Sequence, residues 1–161
     1  MKTHMSKDSV AEAVGKIPSG IFVVTAKKGE EEAALLASWV QQVSFDPLRL
    51  SMAVKKDRPI ERFLKEKALF AIHILGKTQK HLYQHFAKVK SGDPRPFEGI
   101  NITYSSNGSP ILSEALAVLE CRVVIQVDGG DHQLMIADIE DGKLLQKDEP
   151  RTHVRKSGST Y

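Results

Sequence analysis

The residues with the most capacity for chemistry lie between Leu36 and Arg58. The run Leu36 to Pro47, LASWVQQVSFDP, reads as an extended strand carrying hydroxyls and amides where a plain core strand would carry aliphatics. In such a strand Ser38, Val40, Gln42 and Ser44 share one face, and Trp39, Gln41, Val43 and Phe45 the other. The first face is the better candidate for contact with a polar ligand. The plainer reading is a barrel strand with one wet face, because Ser and Gln in strands commonly meet only solvent. One strand-length further on, Val54-Lys55-Lys56-Asp57-Arg58-Pro59 places three cations at a predicted helix start, where charge-assisted donors and oriented backbone N–H groups suit an anion. Strand alternation sends Lys55 and Lys56 to opposite faces, so at most two of the three cations reach one phosphate, with Lys56 or Arg58 the first choice. Together the two stretches suit a ligand with a flat polar head and a phosphate tail. The alternative is an exposed basic turn whose salt links are worth under ~1 kcal/mol.

Other candidates are weaker. Trp39, the only tryptophan, can stack on a planar ligand or simply fill the wall of the fold. His81 and His85 are four apart on a predicted helix, a spacing at which two imidazoles share a metal, but Leu82 follows His81 where a zinc protease needs Glu. No metal site is expected. Ser157-Gly158-Ser159 has no partnering base, which argues against nucleophilic catalysis there.

The elements that must position these residues are mostly strands. A short amphipathic helix from Asp8 to Gly15, capped by Asp8 or Ser9, is broken by Ile17-Pro18-Ser19-Gly20 and leads into a buried strand, Ile21 to Thr25. Lys28 to Glu32 is polar and contains Gly29, so a hairpin with a strand from Ala33 to Ser44 is expected, ended by Asp46-Pro47. Arg49 to Lys55 alternates and should bury one face. Asp57 suits the N-cap of a helix with Pro59 in its first turn and an Ile60, Phe63, Leu64 stripe on the core. Ala68 to Leu75 returns as a strand, Thr78 caps a helix running to about Lys88, and Gly92 to Pro96 marks a loop able to act as a flap. Ala117 to Asp128 and His132 to Ile139 flank Gly129-Gly130 as the clearest hairpin. Six strands, mostly hairpin-linked with inserted helices, predict an antiparallel barrel rather than a parallel sheet.

The 161 residues suit one domain, with 1–7 and 157–161 expected to be flexible. A charge of +3 with basic and acidic residues interspersed gives nucleic-acid binding little support. No apolar run approaches the ~20 residues of a membrane span, and Met1 to Ser9 lacks a signal-peptide core. The lone Cys121 beside Leu119 and Val123 suggests a buried thiol in a reducing compartment, hence a cytoplasmic location. Met52, Met135, Phe22, Phe63 and Phe70 read as core.

Four blocks in order carry a specific likeness: GIFVVTA at Gly20 to Ala26, ASWVQQVSFDP at Ala37 to Pro47, AVKKDR at Ala53 to Arg58, and GDH at Gly130 to His132. Together they resemble the flavin-reductase-like family, the FMN-binding split β-barrels, from about Val14 to Tyr161. The second block is most similar to the flavin-reductase module of cyanobacterial diflavin flavoproteins. The resemblance implies a mainly β fold with inserted helices, an antiparallel six-stranded split β-barrel, paired as a homodimer with FMN near the interface. It implies either an NAD(P)H-dependent flavin reductase, with FAD or riboflavin as further flavin substrates, or an electron carrier served by a redox protein such as rubredoxin or a diiron flavoprotein. An isoalloxazine needs alternating backbone donors and acceptors beside small side chains, which Ala37, Ser38, Trp39, Val40, Gln42, Ser44 and Phe45 would offer, with Lys55, Lys56 and Arg58 at the phosphate. His73 stands where the family often has Asn at a flavin contact, Leu48 follows Pro47 where it often has a second Pro, and Ala137 stands where Gly is usual, which would narrow the nicotinamide approach. The family places the Asp131-His132 pair near the flavin, so His132 is the candidate for orienting the nicotinamide nucleotide. The plainer role is a turn in which Asp131 stabilises the bend and His132 opens the next strand. Tyr161 is placed to fold back toward the flavin.

Overall fold

The computed structural model describes residues 6–65 and 69–161. In chain order the elements are α1 (Lys7–Gly15), β1 (Ser19–Gly20), β2 (Phe22–Lys28), β3 (Glu31–Ala37), β4 (Val40–Phe45), β5 (Leu48–Lys55), α2 (Pro59–Lys65) and β6 (Leu69–Ile74). There follow α3 (Lys80–Lys88), β7 (Ile102–Tyr104), β8 (Pro110–Leu112), β9 (Ala117–Asp128), β10 (His132–Leu144) and β11 (Thr152–His153). The expected strand start at Ala68 lies outside the described residues, as do Met1 to Met5.

One antiparallel sheet of seven strands, in the order β3-β2-β6-β9-β10-β5-β4, forms the body. The expected single strand from Ala33 to Ser44 is two strands. Its halves, β3 and β4, lie at opposite edges of the sheet, and Ser38-Trp39 carries the chain from one edge to the other. The sheet therefore curls without closing, and the split runs beside Ser38 and Trp39. This accounts for seven strands where six were expected.

Residues with alternating burial line the inside. Leu50, Met52 and Val54 of β5, Val24 and Ala26 of β2, Phe70 and Ile72 of β6, Cys121 and Val123 of β9 and Met135 and Ala137 of β10 form the main core. The stripe Ile60, Phe63 and Leu64 plugs one end with α2, each side chain contributing about 1.5–3 kcal/mol by leaving water. Burial pushes the Cys121 thiol up to about 12. A second core of Val23, Leu75, Leu82, Phe86, Phe97 and Leu112 lies on the outer side of β2, beneath α3 and β8. Strand β2 is thus covered on both faces, which explains its uninterrupted apolar run.

Two helix starts differ from expectation. Asp57 does not cap α2: it adopts a left-handed backbone with φ of 67°, and its N–H donates to Glu61 Oε2 at 2.9 Å. Thr78 does not cap α3, since its N–H and hydroxyl both donate to Asp148 Oδ2 and Gln79 occupies the cap position. Segment 155–160, expected to be flexible in part, is tied to α1: the Arg155 N–H donates to Gly15 O at 3.1 Å and that of Gly158 to Ala11 O at 2.5 Å. Among the described residues no helix is long and apolar enough to cross a membrane.

Candidate functional site

At the split of the sheet two hollows meet. The larger, of about 560 Å³, runs between β3 (Ala33 to Leu36), the start of α2 and the loop after α3 that carries Gly92 and Pro94. The smaller, of about 90 Å³, lies against Ala37, Ser38, Trp39, Ala53 and Lys55. Leu35, Leu36, Arg58 and Tyr161 line both, so the two are compartments of one cleft. Among the described residues strand β3 pairs only with β2, which leaves alternate N–H and C=O groups on its other edge open to this cleft.

The sequence candidates divide sharply. Ala37, Ser38, Trp39, Lys55 and Arg58 converge on the smaller hollow. Val40, Gln42, Ser44 and Phe45 do not line it. Val40 packs against the core, and the register slips between Gln42 and Ser44, which ends the simple two-face alternation. Gln42 is exposed and its side-chain amide donates to Ser44 O at 3.3 Å, while Phe45 is 90% exposed at the hairpin tip.

Lys56 is committed elsewhere. Its Nζ lies 2.8 Å from Asp128 Oδ1, and that carboxylate, which also accepts from the Gly130 N–H, is held below the usual carboxylate range first by the Lys56 bond. The Lys56 backbone N–H donates to Asp131 O at 3.0 Å. Lys56 therefore fastens the β9–β10 hairpin tip and sets His132 opposite Lys55. Among the described residues neither Lys55 nor Arg58 has an ion pair, so two cations face the cleft, Lys55 within the electrostatic reach of Asp131. The start of α2 adds little, because Pro59 has no N–H and the Glu61 N–H is already donated to Arg58 O at 2.9 Å.

His73 is a structural residue. It is fully buried, with Nδ1–H donating to Val23 O at 3.0 Å and Nε2 accepting from the Leu112 N–H at 3.1 Å. Desolvation lowers its pKa to about 4, so the imidazole is neutral. The outer face of β6 at His73, the position read as a flavin contact, is covered by β8. Ala137 is likewise enclosed in the main core and does not narrow any approach.

His132 lies beside the smaller hollow, behind Trp39 and Tyr161, without lining it. Its ring centroid is 4.7 Å from that of Trp39, Nδ1 is 2.7 Å from Asp131 Oδ1, and Nε2 bonds the Tyr161 hydroxyl. The Asp131 carboxyl is held below its ordinary range first by the hydrogen bond from His132. Arg155 was not singled out from the sequence. Its guanidinium sits 5.0 Å from the Trp39 ring, and the only local signal is its place in the basic run Arg151 to Lys156. The two histidines of α3 face different partners, His81 meeting Glu114 at 3.5 Å and His85 the Pro96 carbonyl at 2.8 Å.

The cleft thus offers an indole, two cations without an ion pair among the described residues and an open strand edge, a donor set that fits a planar heterocycle with a phosphate tail. Comparison with known proteins gives that fit a family. The model of the family described as "Flavin reductase like domain" matches residues 14–158. The chain is 42% identical over 156 residues, 95% of its length, to a Nostoc protein of the diflavin flavoprotein A type, of which it covers 27%. It is 38% identical over 164 residues to diflavin flavoprotein A 1 of Synechocystis, covering 100% of this chain and 29% of that one. The chain therefore spans little more than a quarter of these relatives. Among solved structures, the NADH:FAD oxidoreductase of Streptomyces globisporus has the same fold, with TM-score 0.79 at 24% identity over 89% of this chain and 80% of that one. The styrene monooxygenase flavin reductase of Pseudomonas putida S12 matches with TM-score 0.75 at 26% identity over 89% and 90%. An open antiparallel sheet with the cleft at its split, matched along nearly its whole length, makes this chain a member of the flavin reductase-like family.

Proposed function

We propose that the chain is an FMN-binding oxidoreductase that passes a hydride from NADH or NADPH to the flavin. The observation that carries this reading is the convergence of Lys55, Arg58 and Trp39 on one hollow continuous with a larger cleft. The flavin, when bound, supplies the hydride-accepting ring, and such chemistry asks the protein for orientation rather than for acid or base. The free edge of β3 offers the alternating donors and acceptors that a pyrimidine-type edge requires, and Ala37 and Ser38 are small enough to let it approach. Arg58, with its planar fork of donors, holds the phosphate, and Lys55 adds charge. Trp39 offers its face to the ring system, and His132, fixed by Asp131, orients the nicotinamide nucleotide.

A homodimer belongs to this reading. Ile125 and Val127 are each 47% exposed and lie opposite Ile136 and Leu134 of β10, so a contiguous apolar face is turned outward. The neighbouring Gln126 points the other way, its amide donating to Leu64 O at 2.9 Å. Such a face supports pairing with a second copy.

The test is a spectrum of the purified protein, followed by anaerobic mixing with NADH and with NADPH. Flavin absorbance that bleaches within the dead time to seconds supports the reductase; protein without flavin affinity refutes it. A second reading, a flavin carrier reduced only by a protein partner, is favoured by one fact: relatives of this chain hold the matching stretch as about a quarter of a longer protein. Bleaching by a redox protein and by neither nucleotide would select it.

A further inference from the structure

Tyr161 stands in both hollows, yet it is 68% exposed. Its hydroxyl bonds His132 Nε2, and its ring centroid lies 5.6 Å from Trp39 and 6.0 Å from His132. In the neutral imidazole, Nδ1–H is given to Asp131 Oδ1, so Nε2 is the acceptor and the phenol O–H is its donor. Both ring nitrogens of His132 are then occupied by the protein itself. We propose that Tyr161 is a displaceable mask on His132: a nicotinamide ring entering the hollow must push the phenol aside before the imidazole can meet it. The proposal rests on the reading that this hollow receives the nicotinamide nucleotide.

The surrounding contacts show what holds the mask and where it hinges. The Arg155 N–H and the Gly158 N–H bond α1 at Gly15 and Ala11, and Arg155 Nη1 reaches back to Thr160 O at 3.3 Å. Gly158 crosses α1 so closely that a Cβ there would lie 2.6 Å from that of Val14. The segment is pinned as far as Gly158. Beyond it, the ties are the Ser159 N–H to Ser157 Oγ at 3.1 Å, the Arg155–Thr160 bond, the phenol–imidazole bond and the ring's contact with Trp39, and most of the Tyr161 surface stays in solvent. Desolvation raises the Tyr161 pKa, against the opposing pull of Arg58 and Arg155, so at neutral pH the phenol keeps the proton it donates.

The test labels the histidines of the whole chain with diethyl pyrocarbonate and follows each by peptide mass. Removal of one hydrogen bond worth ~1 kcal/mol should speed labelling of His132 about fivefold in Tyr161→Phe, and further in Tyr161→Ala, with exposed His81 unchanged as reference. Equal His132 rates in all three proteins would overturn the mask. Steady-state kinetics supply the second readout: the KM for the nicotinamide nucleotide should fall about fivefold in Tyr161→Phe by the same arithmetic, whereas a raised KM would make Tyr161 a substrate contact and overturn the proposal. Should no variant reduce flavin, the proposed reaction fails, and the labelling rates alone still decide the mask.

Discussion

In the proposed flavin site Arg58 is the phosphate partner, and its surroundings set the size of its effect. The guanidinium is half-buried where the two hollows join, and no described carboxylate neutralises it. A phosphate brought there gains a charge-assisted hydrogen bond with no existing ion pair to break, worth roughly 1.5–3 kcal/mol. At ~1.4 kcal/mol per decade, Arg58→Ala should weaken FMN by about 10- to 150-fold. Riboflavin, which has the same ring and no phosphate, should change by less than about threefold on the same reasoning. Arg58→Lys should recover part of the loss, since it restores the charge without the planar fork. Lys56→Ala is the discriminating control: its Nζ serves Asp128, so it should leave the ratio of FMN to riboflavin affinity where it was. Quenching of flavin fluorescence on titration with each protein gives both constants, and the FMN advantage should shrink as salt rises. Equal losses for FMN and riboflavin in Arg58→Ala would refute the assignment. So would a Lys56→Ala effect on the ratio as large as that of Arg58→Ala.

Two further outcomes follow from the structure. His73 is held at about 4 in the folded state against an ordinary value near 6.5, so the unfolded chain binds the extra proton and stability is lost as pH falls from about 6.5 toward 4. Between pH 6.5 and 5 the loss amounts to about 1.5 kcal/mol, read from urea midpoints, and His73→Asn should flatten it; an unchanged pH dependence would deny the neutral buried imidazole. Lysines at Ile125 and Val127 together should convert a dimer into monomers in sedimentation, because each charge would have to leave water at the interface; a dimer that persists would move the interface elsewhere.

Much of the fold could be read from residue patterns because the signals were local. The β9–β10 hairpin is announced by Gly129-Gly130 between two long alternating runs, and Gly130 takes the positive φ of 106° that a turn there asks of it. The division of the segment from Ala33 to Ser44 was not legible. No glycine or proline marks Ser38-Trp39, and the break arises because the chain changes sheet edge there, which is a property of the whole sheet. His73 was misplaced for a similar reason. Strands β7 and β8 are three residues each, too short to show alternation, so nothing in the sequence warned that β8 would cover the outer face of β6. Alternation correctly separated Lys55 from Lys56 but not which of them faced the cleft. That was decided by Asp128, which lies 72 positions along the chain.

The position of the cleft follows from the same edge change that hid it. Consecutive strands at opposite edges force their short link to span the gap, and the edge groups of β3 that would pair with a neighbour in a closed barrel are left available. An open edge is a hazard unless something covers it, and here α2, the loop after α3 and Tyr161 stand around it without filling the space between. The hairpin tip fastened by Lys56 then brings His132 to the same place from the far side of β5, opposite Lys55. The groups proposed to meet ring, phosphate and nucleotide therefore come from segments distant in sequence, and at the split β3, β5 and the β9–β10 tip gather around Trp39 and Tyr161. A substitution that closed the split, by letting β3 pair directly with β4, would abolish the cleft while leaving the core intact.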